Sequence, residues 1–502
     1  VSVKRPWIFE SAVGRVTLGF CLVALVALAF SDIAITTLDP WQEIGRLLWG
    51  FVTPDVSQLD PVGTALLRTL AFGFTGVALG SIMGFLLALV FHLRVVQVFC
   101  AFIRSIHELF WALIFLQFFG LNPLTGVLAI CIPYAGIFAK VYSEILDEND
   151  PAPLKILPAG TGVLSRFIFA RIPDAWPHLV SYTSYRLECG LRSSAVLGFV
   201  GLPTLGFYLE SSFSQGYYSE VGAILLIFYG LIGTLRLWVR PKTVFFFAAA
   251  APFFLGTGLP IIWDNVTRFF TRDIVPEPLK SGASWSINTF DNLFHWLAQL
   301  FTQQAIPGIW NTLILTQIAV VATGMVTLLI FPLISKHFGN RKRRVLGHVF
   351  LVIARSTPEY VLAYMLLTLL GPSMLPAIIA LAIHNGGVIG YLVGRQSNEL
   401  KLRADAPKGL NRYSYEMLPR LYPPFLAFLF YRWEIIMRET AVLGILGIHT
   451  LGFYIDSAIQ DIRFDRAMIL ILITALLNIG IDTLSRTIRS RLRLQSASTC
   501  EA

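Results

Sequence analysis

Charge is what this sequence has least of. Asp, Glu, Lys and Arg make up 14% of its 502 residues against 55% for hydrophobic ones, and mean hydropathy is +0.68. A soluble globular chain is about one quarter charged, so water is not the main solvent here. Paired cysteines are missing too. Cys21, Cys100, Cys131, Cys189 and Cys500 show no disulfide or metal-ligand spacing, and four of them lie in apolar stretches, so they read as packing residues. The dipeptide Gly-Lys occurs nowhere, which excludes a GxxxxGK[ST] phosphate loop, and neither HExxH nor a nucleophile elbow is present. The histidines His107, His178, His384 and His449 are scattered. The chain is therefore expected not to be an enzyme and to bind no metal or cofactor of its own.

What the sequence does have is length in apolar runs. With about 20 apolar residues needed per membrane crossing, it has room for a dozen helices, and an all-α polytopic membrane protein is the expected fold class. Hydropathy places spans at 15–33, 64–91, 97–119, 123–142, 176–197 and 220–239, and again at 243–262, 308–334, 345–370, 374–394, 420–442 and 466–485. The first run follows Lys4, Arg5 and Arg15 as a signal peptide would, but no small-residue cleavage site follows it, so it is read as helix one.

The net charge of +9 does not point to nucleic acid, because the basic residues sit in short loops between spans. Every second connection is basic: Arg94; Lys155, Arg166 and Arg171; Arg236, Arg240 and Lys242; Arg341 to Arg344; Lys401, Arg403, Lys408 and Arg412; and Arg486 to Arg493. The intervening segments 34–63 and 263–307 carry Asp39, Glu43, Asp55, Asp60, Asp264, Asp273, Glu277 and Asp291. The excess of Lys and Arg on the cytoplasmic side then puts both termini in the cytoplasm.

An internal repeat organises the chain. Residues 185–212 (YRLECGLRSSAVLGFVGLPTLGFYLESS) and 431–458 (YRWEIIMRETAVLGILGIHTLGFYIDSA) agree at 15 of 28 positions without a gap. A weaker echo pairs the residues around Arg104 and Glu108 with those around Arg355 and Glu359. Two modules, 1–242 and 243–502, with six spans each, should share one orientation and be related by an axis along the membrane normal, leaving a pathway at their interface.

Ionisable residues within spans are expensive in lipid and face protein or water. Arg186 lies roughly 15 Å along a helix starting near Trp176, counted at 1.5 Å per residue; Arg355 is similarly deep, eleven residues past Arg344. The pairs Glu188/Arg192, Glu434/Arg438, Arg104/Glu108 and Arg355/Glu359 are each four apart, so each pair lies on one helical face, as structural ion pairs or as lining of the pathway. Arg186 and Arg432 have no acid four residues away and are candidates for the route of an anion, as are the polar pair His384 and Asn385. The repeated GxxGxxTxGFY, with Gly198, Gly201, Gly206 and Phe207 in one copy and Gly444, Gly447, Gly452 and Phe453 in the other, follows each charged helix. Such glycines permit a turn or a close backbone approach, so the motif is a candidate gate, with helix-packing glycines as the alternative.

These residues resemble the permease subunit of ABC importers of the phosphonate uptake family. In the first half the likeness runs through RSIHELFWALIF, GLNPLTGVLAICIPYAGIFAKVYSEILDE and YRLECGLRSSAVLGFVGLPTLGF. In the second it runs through RSTPEYVLAYMLL, LAIHNGGVIG and YRWEIIMRETAVLGILGIHTLGFYIDSAI, covering 64–239 and 308–489 in all. The resemblance implies a type I importer architecture in a bacterial inner membrane, phosphonate or a related phosphorus oxyanion (phosphite, hypophosphite or phosphate) as substrate, and two partners. One is a dimeric ATP-binding subunit in the cytoplasm, which would hold the ATP and Mg; the other is an extracytoplasmic solute-binding protein. One copy of this chain would serve a complex usually built on two. The family's ATPase-coupling loop implies that role for Gly160 and Thr161, although Leu154 stands at its acidic position; in the second half Ala406, before Pro407, replaces the glycine and Leu400 the acid. Fused repeats with embedded charges also suit an ion-coupled secondary transporter of small anions.

Overall fold

The computed structural model describes residues 11–37, 39–55, 61–148, 161–240, 242–280 and 286–492, and every regular element among them is helical. In chain order the principal helices are α1 (Ala12–Ala29), α2 (Pro40–Val52), α3 (Val62–Leu89), α4 (Arg94–Ser105), α5 (Glu108–Phe119), α6 (Pro123–Glu148), α7 (Ile172–Val196), α8 (Leu205–Ser214) and α9 (Tyr218–Trp238). They continue as α10 (Val244–Ala250), α11 (Ile287–Leu300), α12 (Ile306–Ile330), α13 (Arg341–Ser356), α14 (Glu359–Leu370), α15 (Met374–Glu399), α16 (Leu418–Val442), α17 (Leu451–Gln460) and α18 (Phe464–Arg491).

Seven helical stretches among the described residues are long and apolar enough to cross a membrane, or eleven if each sharply bent pair counts as one span. Four of the expected spans differ. The helix expected at 243–262 is only a short apolar one, Val244–Phe254, because Pro252 and the run Gly256 to Pro260 cannot continue it. The helix expected at 308–334 begins much earlier, running from Ile287 to Ile334 with a π turn at Phe301–Ala305. The spans expected at 97–119 and 345–370 are each two helices meeting at 88° and 90°. The second elbow has a local cause, since Pro358 forces Thr357 out of the helical region. In the first, His107 leaves the helix and its Nδ1 accepts the Leu109 amide at 3.2 Å, capping α5. Twelve residues rise about 18 Å, too little for either α5 or α14 to cross a ~30 Å hydrocarbon core alone.

The chain divides into two compact units, Leu47–Phe269 and Val1–Arg46 with Phe270–Ser498. This boundary differs from a cut at 242. In the second unit α1, from the far N-terminus, packs on α12 and α16: Gln317 donates to the Phe20 carbonyl at 3.0 Å, and the Phe20 ring meets Phe430 and Trp433 edge-on at 5.1 and 4.9 Å. In the first unit the short helix after residue 243 packs on α3, with Phe247 against Phe74 at 5.6 Å and Trp238 at 5.2 Å.

Within the first unit α3 and α6 approach closely because Gly76, Gly80 and Gly84 form a stripe along α3. A Cβ at Gly76 would meet the Ile130 side chain, one at Gly80 the Tyr134 Cβ and Cys131 carbonyl, and one at Gly84 the Phe138 Cβ. In the second unit the stripe is on the other partner: Gly386, Gly390 and Gly394 of α15 face Val326, Ile330 and Ile334. Small residues four apart let apolar helices pack without a hydrophobic drive between them; the close approach is repeated, while the helix that supplies the glycines is not.

Candidate functional site

The repeated glycine motif folds alike in both copies. The charged helix ends in one 3-10 turn, Leu197–Val200 in the first copy and Leu443–Leu446 in the second; Gly201 at φ +87° and Gly447 at φ +91° bend the chain, and α8 or α17 follows at 50° or 43° to the helix before it. Positive φ there is what glycine permits without a Cβ clash. A Cβ on Gly198 would strike the Phe207 amide and Gly206; one on Gly206, the Ala195 carbonyl; one on Gly444, the Phe453 amide and Thr450 Oγ1. Gly452 occupies the position of Gly206. The threonine closes the turn: Thr204 donates to the Ala195 carbonyl and Thr450 to the Ala441 carbonyl, both at 3.3 Å. A buried threonine across the unit receives the next helix, Thr69 accepting the Leu205 amide at 2.9 Å and Thr312 the Leu451 amide at 3.0 Å. These glycines therefore shape a turn and do more than pack helices.

The elbows alter the expected ion pairs. Arg104 and Glu108, like Arg355 and Glu359, fall on opposite sides of a bend of about a right angle, so spacing by four no longer places them on one helical face. Arg104 ends α4 and Arg355 ends α13; the Arg355 guanidinium lies over the Tyr391 ring at 4.3 Å. Glu188 and Arg192 remain together on α7, and Glu434 and Arg438 on α16. Arg192 Nη2 approaches Cys189 Sγ at 3.3 Å. Arg186 has found a partner one turn back, where Nε donates to the Tyr182 hydroxyl at 2.7 Å and the guanidinium sits 5.3 and 5.7 Å from the Tyr182 and Tyr185 rings. In the second copy Phe428 stands in place of Tyr182, four residues before Arg432.

Behind each arginine-bearing helix lies a buried polar group that the elbow brings in. In the first unit Ser193 donates to Glu108 Oε1 at 2.5 Å, with the Tyr134 hydroxyl 3.4 Å from Ser193 Oγ. In the second, Asn385 Nδ2 donates to Glu439 Oε2 at 2.9 Å, while His384 Nε2 is 3.6 Å from Glu359 Oε2. Glu439 occupies the repeat position of Ser193, and Asn385 that of Tyr134. Sequence reasoning passed over Ser193, Tyr134 and Glu439. The only signal for Glu439 is a mismatch in the repeat, an acid where the first copy has serine.

Of the residues the family resemblance assigns to ATPase coupling, Gly160 lies outside the described residues, and Thr161 just precedes a short helix, Val163–Arg166. That segment is tied to the end of α6 by Arg171, which donates to the Leu146 carbonyl and to Asp147. It leaves Val163, Leu164 and Phe169 exposed. In the second unit Ala406 and Pro407 sit in a loop held from below: Arg412 donates to the Pro407 carbonyl at 2.8 Å, and buried Glu416 accepts from Arg403 at 3.1 Å and Arg420 at 2.9 Å. Burial, and then the charges of Lys336 and Arg412, hold the nearby His337 imidazole below its usual range, so it is neutral at pH 7.

Residues 329–494 match the family described as binding-protein-dependent transport system inner membrane component. A permease of this kind is the non-catalytic membrane subunit, and the family implies an ATPase and a binding protein as partners. The chain is similar to the phosphate-import permease protein PhnE of Mycolicibacterium smegmatis, 24% identical over 499 residues that cover 93% of this chain and 92% of the relative. It is similar to the phosphite transport system permease protein PtxC of Stutzerimonas stutzeri, 29% identical over 227 residues, 43% of this chain and 82% of the relative. The putative phosphite transport system permease protein HtxE of the same organism is 33% identical over 146 residues, 28% of this chain and 56% of the relative. No solved structure matches the chain.

Proposed function

We propose that this chain is the complete transmembrane pathway of an ATP-driven importer for a phosphorus oxyanion, with its two halves taking the places of two permease subunits. Similarity to a phosphate-import permease along 93% of the chain supports this most directly; the recurrence of one arginine-bearing helix and gate turn in both halves supports it independently. Phosphonate, phosphite, hypophosphite and phosphate share the tetrahedral, anionic oxygens that guanidinium groups bind with charge-assisted, forked hydrogen bonds. Arg186 and Arg432 are the proposed contacts, with Arg104, Arg355, Arg192, Arg438 and the acids beside them setting the local charge. The Gly201 and Gly447 turns are the proposed gate. The segments around Thr161 and Pro407 are the proposed docking surfaces for a cytoplasmic ATPase, which supplies ATP and Mg; the solute-binding protein acts from outside. The chain lies in a bacterial inner membrane with both termini in the cytoplasm.

One copy of the chain then meets two ATPase subunits. The mass of the complex purified from its native membrane should correspond to one chain with one ATPase dimer, and a mass requiring two copies of this chain per dimer would remove the reading of its halves as a pair.

A further inference from the structure

The polar cluster of the second unit has its own chemistry, independent of the anion's route. His384 grips both sides of the α13–α14 elbow. Its Nδ1 is 2.8 Å from the Thr357 carbonyl, the residue at which the helix breaks, and its Nε2 is 3.6 Å from Glu359 Oε2, the first residue of the new helix. A carbonyl oxygen only accepts, so Nδ1 carries a hydrogen. In the neutral imidazole Nε2 is then a bare lone pair turned toward a carboxylate oxygen, and the two repel. With one proton on either atom the contact becomes attractive. His384 is 2% exposed, whereas the Glu359 side chain is 18% exposed, so a proton has a way in through the acid.

We propose that His384 and Glu359 form a buried proton-binding site that clasps the elbow of the second half. Its ligand is a single proton, taken from solution and placed between Nε2 and Oε2; no other bond is made or broken. The other charges around it are Glu439 on α16, held by Asn385 of α15, with Arg432 and Arg438 near that acid, and Arg355 on α13, stacked on Tyr391. Helix α12 and the turn Phe331–Ile334, which also pack on α15, have no ionisable residue.

The first half holds a counterpart contact, with His107 Nδ1 3.6 Å from Glu108 Oε2. There His107 uses Nδ1 to accept the Leu109 amide, so that nitrogen is already satisfied without an added proton. Glu108 takes a hydrogen bond from the hydroxyl of Ser193, which donates at any pH below its own ionisation. Thus a histidine and a carboxylate meet at both elbows, and the halves differ in what else holds the histidine nitrogen and the acid.

Loss of the proton as pH rises frees Glu359 from His384 while Thr357 stays bound, loosening the elbow. In the reconstituted complex, uptake should therefore fall along a one-proton curve, approaching about a tenfold loss per pH unit above its midpoint. Glu359→Gln supplies an amide N–H that donates to Nε2 without any proton from solution, and should flatten this alkaline limb. A second measurement needs neither a variant nor transport. In the wild-type chain labelled with nitrogen-15 histidine, the His384 ring, identified by coupling through its bond to the Thr357 carbonyl, should keep Nδ1–H throughout while Nε2 loses its proton or its acid partner on alkalinisation. An Nε2 that is bare and unshifted across the whole titration overturns the site, and so does an alkaline limb that Glu359→Gln leaves unchanged. The site goes beyond the importer reading, and the spectroscopic arm stands even if that reading fails.

Discussion

Replacing Arg186 or Arg432 with glutamine should cut uptake roughly 10- to 100-fold, because a hydrogen bond to a charged group is worth about 1.5–3 kcal/mol and each ~1.4 kcal/mol is a factor of ten. Membrane insertion, complex assembly and basal ATP hydrolysis should persist, since neither arginine lies in the ATPase-docking segments. Lysine should recover only part of the loss, keeping the charge without the planar fork. The two copies differ in how the arginine is held, and that difference is itself a test. Tyr182 orients Arg186 through its hydroxyl, whereas Phe428 stands at the equivalent place before Arg432. Tyr182→Phe should therefore produce a much smaller defect than Arg186→Gln. Normal uptake in both glutamine variants, measured at equal amounts of assembled complex, would assign the arginines to structure.

The second large effect is expected at the gate turns. Gly206→Ala places a methyl group on the Ala195 carbonyl, and Gly198→Ala places one on the Phe207 amide; both neighbours are backbone in short, fully packed turns and cannot swing aside. Overpacking of this kind costs roughly 3 kcal/mol, the upper end of the usual range. Gly447→Ala meets nothing within 4 Å but must hold φ +91°, for which about 1–2 kcal/mol is expected. Gly233→Ala, also with nothing within 4 Å and without the positive φ, is the control. Thermal unfolding of the purified protein should rank the variants in that order, with Gly206→Ala least stable. Equal melting of Gly206→Ala and Gly233→Ala would show that the turn opens readily and is not the tight element described.

The repeat, the apolar spans and the gate turn were all readable in the sequence, because each leaves a pattern: 15 identities in 28 residues, long uncharged runs, and glycines at matched spacing. The elbows were not. Apolar residues continue on both sides of Ile106 and Thr357, so hydropathy sees one span where the backbone makes two half-length helices, and spacing by four across the bend no longer means one shared helical face. Pro358 was the available clue in one copy; His107, acting as a cap, gave no such warning. The stretch 243–262 misled in the same way, since apolar residues continue beyond Phe254, where the helix ends before the run Gly256 to Pro260. Glu439 was hidden by its position in the least matched part of the repeat. Its burial becomes intelligible only when α15 brings Asn385 across to it.

The cellular role proposed here divides labour between chains: this one supplies the path, and another supplies the energy. The alternative, an ion-coupled carrier, would need no partner in the cytoplasm. Both are separated by uptake of radiolabelled phosphite or phosphonate into proteoliposomes holding this chain, its ATP-binding subunit and its solute-binding protein. Uptake should require ATP on the cytoplasmic face and the loaded binding protein outside, should persist when a protonophore collapses the gradient, and should be absent with this chain alone; uptake by the chain alone that stops with the gradient would contradict the account.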